Sequence, residues 1–126
     1  MQFYGIDFLI IMSIDEIQKA IETQYPDTCA EFKKIQHDHY LTFCKKQFDY
    51  GPGNISLGSS LVSPDERKAS ISAIVVRLND KLQRLINLVL RKNSLESANE
   101  SVFDAFLDIS VYSIIAEIVN RGKWAK

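Results

Sequence analysis

The sequence predicts an all-α fold, a compact helical bundle of about four helices with one long amphipathic helix and a central apolar C-terminal helix. Apolar residues recur at the i, i+3, i+4, i+7 spacing of a helix throughout the segment 63–93. Ser-x-x-Glu capping patterns precede several helical segments, and no alternation typical of β-strands competes with them. The chain has 126 residues, of which 46% are hydrophobic, so we expect one domain over residues 1–126. Residues 1–12 are predicted to be an N-terminal extension or an oligomer contact.

The first half of the chain predicts two helices and a loop. Ser13 followed by Glu16 is a capping-box pattern, and isoleucines then recur at helical spacing until the break before Pro26. A second helix begins at Pro26 and ends where Gly51 can adopt a left-handed cap. Residues 51–62 have no helical period and are rich in Gly, Pro, Asn and Ser, which predicts a loop large enough to be functional.

The second half of the chain predicts the long helix and the last helix. The segment Ser63-Pro64-Asp65-Glu66 combines an N-cap serine, a proline at the first helical position and a glutamate that closes the capping box. The long helix that starts there is predicted to continue to a C-cap at Asn93. Ser97 with Glu100 is predicted to cap the last helix, which stops near Gly122. Because the connection between these two helices is short, we expect them to be antiparallel neighbours.

Two aspartates lie in the most apolar part of the sequence. Asp104 and Asp108 are one helical turn apart inside residues 102–119, where almost every face of the helix is apolar. We therefore expect all faces of this helix to be covered by protein and both carboxylates to be buried or half-buried. Since an unpaired buried carboxylate is costly, they require a metal, a basic side chain or a ligand as a partner.

Basic residues of the long helix are candidates for that partner. Arg77, Lys81 and Arg84 follow the spacing i, i+4, i+7 and border the apolar stripe of the helix. Two interpretations are open. The charges form interhelical salt bridges, or they line a polar pocket in which the cations bind phosphate and the aspartates bind a metal, ribose hydroxyls or a base edge.

The end of the second helix offers a third group of polar residues. A lysine near a helix C-terminus is favoured by the helix dipole, and a glycine by the cap geometry, so Lys46 and Gly51 have a structural explanation. Asp49 and Tyr50 directly precede the glycine-containing loop, and Asn54 follows within it. An acid and an aromatic side chain in this position could hydrogen-bond a base and stack on it.

Composition limits the partners and the compartment. Fifteen Lys and Arg stand against sixteen Asp and Glu, which gives no electrostatic basis for binding duplex nucleic acid. The apolar run at residues 8–12 is too short to cross a bilayer, so no membrane partner is expected. Cys29 and Cys44 are too far apart along one helix to bridge, which fits a reducing, cytoplasmic location. The length of the long helix favours a homo-oligomer.

Three charged motifs follow one another along roughly residues 40–120: Lys46-x-x-Asp49-Tyr50-Gly51, then Arg77-x-x-Asp80-Lys81-x-x-Arg84, then Asp104-x-x-x-Asp108-x-x-x-Tyr112. In this order they resemble the small helical phage family called the nucleotide modification associated domain, first type. The resemblance implies a phage or prophage protein that works on or with nucleotides, in the host cell cytoplasm if it is phage-encoded. It makes the residues of these motifs other than Asp80, together with Asn54, candidates for binding a nucleotide-type small molecule.

The last motif also resembles the all-α nucleoside triphosphate pyrophosphohydrolases, which hold Mg²⁺ with a Glu-x-x-Glu pair and a Glu-x-x-Asp pair. Asp108 and Tyr112 match the end of the second pair, but Ala105 stands where its glutamate is needed. No Glu-x-x-Glu occurs on the second helix or the long helix. Mg²⁺-phosphate chemistry needs several converging carboxylates, and the long helix offers cations instead.

Three hypotheses follow. The first is a non-catalytic phage protein, without cofactor or metal, that sequesters a nucleotide-derived host immune signal of the cyclic oligonucleotide or ADP-ribose type. Its phosphates would bind the basic residues Lys46, Arg77, Lys81 and Arg84. The alternative is a Mg²⁺-dependent pyrophosphohydrolase in which Asp49, Asp104 and Asp108 converge to replace the missing glutamates. The third is a structural helical oligomer in which all these charges are salt bridges.

Overall fold

The computed structural model describes residues 11–126, and over that range the chain is all-α without a strand. The elements are α1 (Ile14–Gln24), α2 (Pro26–Tyr50), α3 (Gly53–Ser56), α4 (Pro64–Leu85), a π-helical turn (Ile86–Arg91) and α5 (Val102–Asn120). The predicted fold class is confirmed. The predicted N-terminal extension lies, except for its last two residues, outside the described residues. None of the described helices is both long and apolar enough to span a membrane.

The chain divides into two units, Met1–Asp38 and His39–Lys126. In the first unit the predicted cap is confirmed, because the Ser13 hydroxyl accepts a hydrogen bond from the Glu16 backbone N–H at 3.1 Å. Lys33 Nζ lies 2.6 Å from a carboxylate oxygen of Glu22 and ties the start of α2 to α1. None of the residues in α1 is buried.

The second unit is organised by α4 and the turn that follows it. The capping box is confirmed: the Ser63 hydroxyl accepts from the Glu66 N–H at 3.1 Å, and the Ser63 N–H donates to Glu66 Oε1 at 3.0 Å. The prediction of one continuous α-helix to Asn93 is wrong beyond Leu85, where a π-helical turn takes over. The C-cap of this turn is Lys92, one residue before the predicted Asn93, and Asn93 follows it with a left-handed φ of +50°.

Helices α4 and α5 pack against each other and run antiparallel. Arg77 lies over Tyr112, Lys81 contacts Asp108, and Arg84 contacts Ser101. Along this series the residue numbers rise in α4 and fall toward the start of α5, as they must for antiparallel helices. The main core lies between them and contains Ile55, Leu61, Ile74, Val111, Ile115, Val119 and Trp124. A smaller cluster contains Leu85, Val102 and Ala105. Helix α4 contributes one residue to each cluster, whereas α5 contributes five residues to the two clusters together, so α5 supplies more of the core of this unit.

The predicted loop 51–62 has more structure than the sequence indicates. The segment contains the short helix α3, and two apolar residues of the segment, Ile55 and Leu61, belong to the core. The buried Ser70 hydroxyl donates to the Ile55 carbonyl oxygen at 2.6 Å, and Trp124 Nε1 donates to the Pro52 carbonyl oxygen at 3.2 Å. These bonds fix the segment because they satisfy backbone oxygens next to buried residues.

Two predictions for α5 are wrong. Its N-cap is Ser101, whose hydroxyl accepts from the Phe103 N–H at 3.1 Å, whereas the Ser97 hydroxyl donates to the Glu100 carbonyl oxygen within the preceding loop. The faces of α5 are also not all covered, because Phe103 is 62% exposed and Ile114 is 55% exposed. One stripe of α5 is buried. The apolar composition of the segment therefore predicted more covered surface than the fold provides.

Candidate functional site

The second unit contains a cavity of about 580 Å³. Its walls come from the end of α2, the start of α3, the middle of α4 and the first half of α5, with Glu100 immediately before α5. Eight residues that the sequence predicts as site residues line it: Lys46, Tyr50, Asn54, Arg77, Lys81, Asp104, Asp108 and Tyr112. The fold therefore collects most of the three separate sequence motifs around one space.

Asp108 is the centre of the polar part of the cavity. The residue is buried, with 8% of its surface exposed. Lys46 Nζ of α2 lies 2.8 Å from Asp108 Oδ1, and Lys81 Nζ of α4 lies 2.9 Å from Asp108 Oδ2. Each carboxylate oxygen thus carries one ammonium group, and Asp108 connects three helices of the unit.

The two lysines decide the ionisation of Asp108. Burial by itself would raise the pKa of the Asp108 carboxyl, but the hydrogen bonds and charges of Lys46 and Lys81 outweigh burial and lower that pKa below its usual value. The hydrogen bond to Asp108 raises the pKa of Lys81 against the opposing effect of burial. Asp108 and Lys81 are therefore both charged at neutral pH.

Arg77 lies one helical turn from Lys81 on the same face of α4. Its Nη2 donates to the Asn54 carbonyl oxygen at 2.8 Å, and its guanidinium carbon lies 5.7 Å from the centroid of the Tyr112 ring. The ring face attracts the cation, and the carbonyl orients it. Within residues 11–126 Arg77 forms no salt bridge, so no carboxylate compensates its charge directly.

Spacing within α4 and α5 explains why these groups meet. Arg77 and Lys81 are four residues apart on α4, and Asp108 and Tyr112 are four residues apart on α5. Four residues make about one helical turn, so each pair projects from one face of its helix. Because the helices are antiparallel, Arg77 faces Tyr112 and Lys81 faces Asp108.

Three predicted site residues do not line the cavity. Arg84 donates to the Ser101 carbonyl oxygen at 3.1 Å and to the Glu100 carbonyl oxygen, so it binds the backbone that leads into α5. Gly51 has a φ of +68° and serves as the left-handed cap of α2. Asp49 is exposed and lies outside the lining. The structure therefore places eight of the eleven predicted site residues at the cavity and these three elsewhere.

The two aspartates also differ from expectation. Asp104 lines the cavity but is exposed, so the prediction that both carboxylates are buried or half-buried holds only for Asp108. For the alternative Mg²⁺ site, Asp49 does not join the other two aspartates around the cavity. In the part of the chain that is described, no three His, Cys, Asp or Glu side chains are grouped as a metal site.

Sequence reasoning missed several lining residues, of which Glu100 is the most polar. Glu100 precedes Asp104 by four residues and Asp108 by eight, a helical-face spacing that could have identified it. The sequence pattern instead predicts that Glu100 forms a capping box with Ser97. The negative charge of Glu100 contributes to raising the pKa of Lys81, which places it close to that ammonium group. The other missed residues are Thr42, Phe43, Gln47, Leu107, Val111 and Ile115.

The chain was compared with known proteins by sequence and by structure. No protein-family model, no curated protein and no solved structure matches it. The geometry of the cavity therefore carries the functional argument.

Proposed function

We propose that the second unit binds a nucleotide-type small molecule in this cavity and does not turn it over. The observation that carries the proposal is the grouping of three cations, Lys46, Arg77 and Lys81, with two tyrosines, Tyr50 and Tyr112, around one space. A volume of about 580 Å³ lies within the range of small-molecule sites. Cations supply phosphate contacts, and aromatic rings supply surfaces on which a base can stack.

The cations keep donors available for a ligand. An ammonium group has three N–H donors, and Asp108 takes one hydrogen bond from each lysine. The planar guanidinium of Arg77 has five donors, of which the Asn54 carbonyl oxygen accepts one. Tyr50 is 70% exposed at the end of α2, so its ring is open to contact with a ligand. These features support binding of an anion beside an aromatic surface.

The same features favour binding over metal-dependent hydrolysis. Both oxygens of Asp108 already accept from lysines. A Mg²⁺ ion bound to Asp108 would lie beside two ammonium groups, and the repulsion between these cations is unfavourable. The resemblance to the phage family adds the finer proposal that the ligand is a host immune signal of the cyclic oligonucleotide or ADP-ribose type, held by sequestration.

Isothermal titration calorimetry of the full chain against cyclic di-AMP, cyclic di-GMP, ADP-ribose and nucleoside triphosphates tests the proposal. We expect at least one ligand to bind, and Lys46→Ala and Arg77→Ala to weaken it by about tenfold or more, since each removes a charge-assisted contact. Lys45→Ala and Arg121→Ala are matched controls, because both residues are exposed and outside the cavity. If none of these ligands binds, the proposal is wrong.

Turnover is measured separately. Incubation of the protein with nucleoside triphosphates and Mg²⁺ or Mn²⁺ should release neither pyrophosphate nor monophosphate. Release that Asp108→Asn abolishes would favour the pyrophosphohydrolase alternative over the binding proposal.

A further inference from the structure

The charges of the cavity lining balance. Three cations, Lys46, Arg77 and Lys81, face three carboxylates, Glu100, Asp104 and Asp108. A site built for a polyphosphate carries an excess of positive charge or a metal ion, because several phosphate charges must be neutralised together. This lining instead fits a ligand of low negative charge.

The positive charge that is free to meet a ligand is concentrated in a small part of the cavity. Lys81 is compensated by Asp108 and by the nearby Glu100. Lys46 also contacts Asp108, but half of its side chain is exposed. Arg77 is directed by the Asn54 carbonyl oxygen and Tyr112 and forms no salt bridge within the described range. Arg77 and the exposed part of Lys46 are therefore the cations most available to a phosphate of the ligand.

Two carboxylates of the lining are not buried. Glu100 and Asp104 are exposed lining residues on the N-terminal side of α5. An ionised carboxylate only accepts hydrogen bonds, so it favours sugar hydroxyls or base amino groups and repels a further phosphate. The same cavity therefore offers cations to a phosphate and carboxylate acceptors to the donor groups of a ligand.

Resting on the proposed function, we infer that every phosphate of the ligand is bridged on both sides, by ester or anhydride oxygens, and carries a single negative charge, while the hydroxyl or amino groups of the ligand donate to Glu100 and Asp104. Cyclic oligonucleotides and ADP-ribose belong to this class. Nucleotides that end in a free phosphate do not, because their additional charges would meet the two carboxylates.

Three matched pairs test the inference by calorimetry in EDTA: cyclic di-AMP against ATP, cyclic di-GMP against GTP, and ADP-ribose against ADP. Within any pair that binds, we expect the compound without a terminal phosphate to bind at least about tenfold more tightly than the compound with one. In the double variant Glu100→Gln/Asp104→Asn this ratio should fall by about tenfold, because the repulsion is removed. The control Asp80→Asn, an exposed acid of α4 outside the cavity, should leave the ratio unchanged.

The outcomes separate this inference from the proposed function. If ATP, GTP or ADP binds as tightly as its partner without a terminal phosphate, or if the double variant keeps the wild-type ratio, the inference is overturned and nucleotide binding stands. If none of the six compounds binds the wild-type protein, both are overturned. Both substituted carboxylates are exposed, and a thermal unfolding curve checks that the double variant is folded.

Discussion

At the scale of single residues, Asp104 and Asp108 have the same chemistry and lie one helical turn apart, yet their environments differ. Asp108 is buried and holds two ammonium groups, whereas Asp104 is exposed at the cavity. The difference arises because Asp108 lies in the stripe of α5 that contains Ala105, Val111 and Ile115. The buried carboxylate is part of the structure, and the exposed one is available to a ligand.

Substitution of Asp108 should destabilise the second unit. Asp108→Asn removes the negative charge from both ion pairs and leaves two ammonium groups facing a neutral amide, so we expect the free energy of unfolding to fall by about 1–3 kcal/mol. Both lysines are partly exposed, which keeps the loss below that of a fully buried pair. Urea unfolding followed by fluorescence of the single, buried Trp124 measures it. Asp104→Asn is the control and should change stability by less than about 0.5 kcal/mol.

The same residue predicts a pH dependence. Because Lys46 and Lys81 lower the pKa of Asp108 in the folded state, its contribution to stability is complete above the unfolded pKa of about 3.9 and is lost as the pH falls through the folded pKa. The difference in unfolding free energy between wild type and Asp108→Asn should therefore shrink below about pH 4. Unfolding curves measured across that range check this, and a difference that grows at low pH would contradict it.

At high pH the dependence of stability on pH has the opposite sign. The raised pKa of Lys81 means that its contribution is complete below the unfolded pKa of about 10.4 and is lost as the pH rises through the higher folded value. The Lys46–Asp108–Lys81 arrangement should therefore remain intact through the neutral range. A steep change of ligand affinity near neutral pH would therefore have to arise from the titration of another group.

At the scale of elements, local capping signals identify helix starts but do not decide between two neighbouring candidates. The Ser63 and Glu66 pattern became a complete capping box, and Ser13 became the cap of α1. Ser97 and Glu100 show the same spacing but lie in a loop, because Ser101 is the residue that precedes the buried Val102. Tertiary burial of the helix decided between two local candidates.

The cap of α4 makes a measurable contribution. Ser63→Ala removes the acceptor for the Glu66 N–H and should lower the free energy of unfolding by about 1 kcal/mol. Ser72→Ala is the matched control in the same helix. Ser72 is exposed and its hydroxyl donates to the Lys68 carbonyl oxygen one turn earlier, so its loss should be close to neutral. Equal effects of the two substitutions in thermal unfolding would contradict the role of the cap.

At the scale of the whole molecule, apolar surface is distributed unevenly. Neither α1 nor α2 contains a buried residue, and α5 presents Phe103, Phe106 and Ile114 at its surface. Helices that bury little apolar area gain little tertiary stabilisation. The homo-oligomer predicted from the sequence stays a prediction, and these surfaces are where it can be tested.

Hydrogen exchange provides that test. At low protein concentration we expect backbone amides of α1 to exchange faster than those of α4, because α4 contributes Ile74 and Leu85 to buried clusters. If copies of the chain cover the exposed apolar faces, protection of α1 should rise with protein concentration, in step with the mass measured by sedimentation. Protection that is equal in the two helices and independent of concentration would contradict both expectations.

Most of the fold and much of the site could be predicted from the sequence, for different reasons. Helix spacing places Arg77 with Lys81 and Asp108 with Tyr112, and a short connection makes the two helices antiparallel, so their meeting follows from local rules. The contribution of Lys46 depends on where α2 lies against α5, a contact between residues 62 positions apart. No local pattern determines such a contact.

What the sequence by itself determined is the all-α class, the starts of α1, α2 and α4, and which charged residues share a helix face, because caps and a period of 3.6 residues are local properties. Only the tertiary structure decided that Asp108 is buried while Asp104 is open, that Arg84 binds backbone rather than the cavity, and that Glu100 belongs to the lining. Those outcomes depend on which face of each helix is covered by its neighbours, and burial of a face is a property of the packed helices rather than of any one of them.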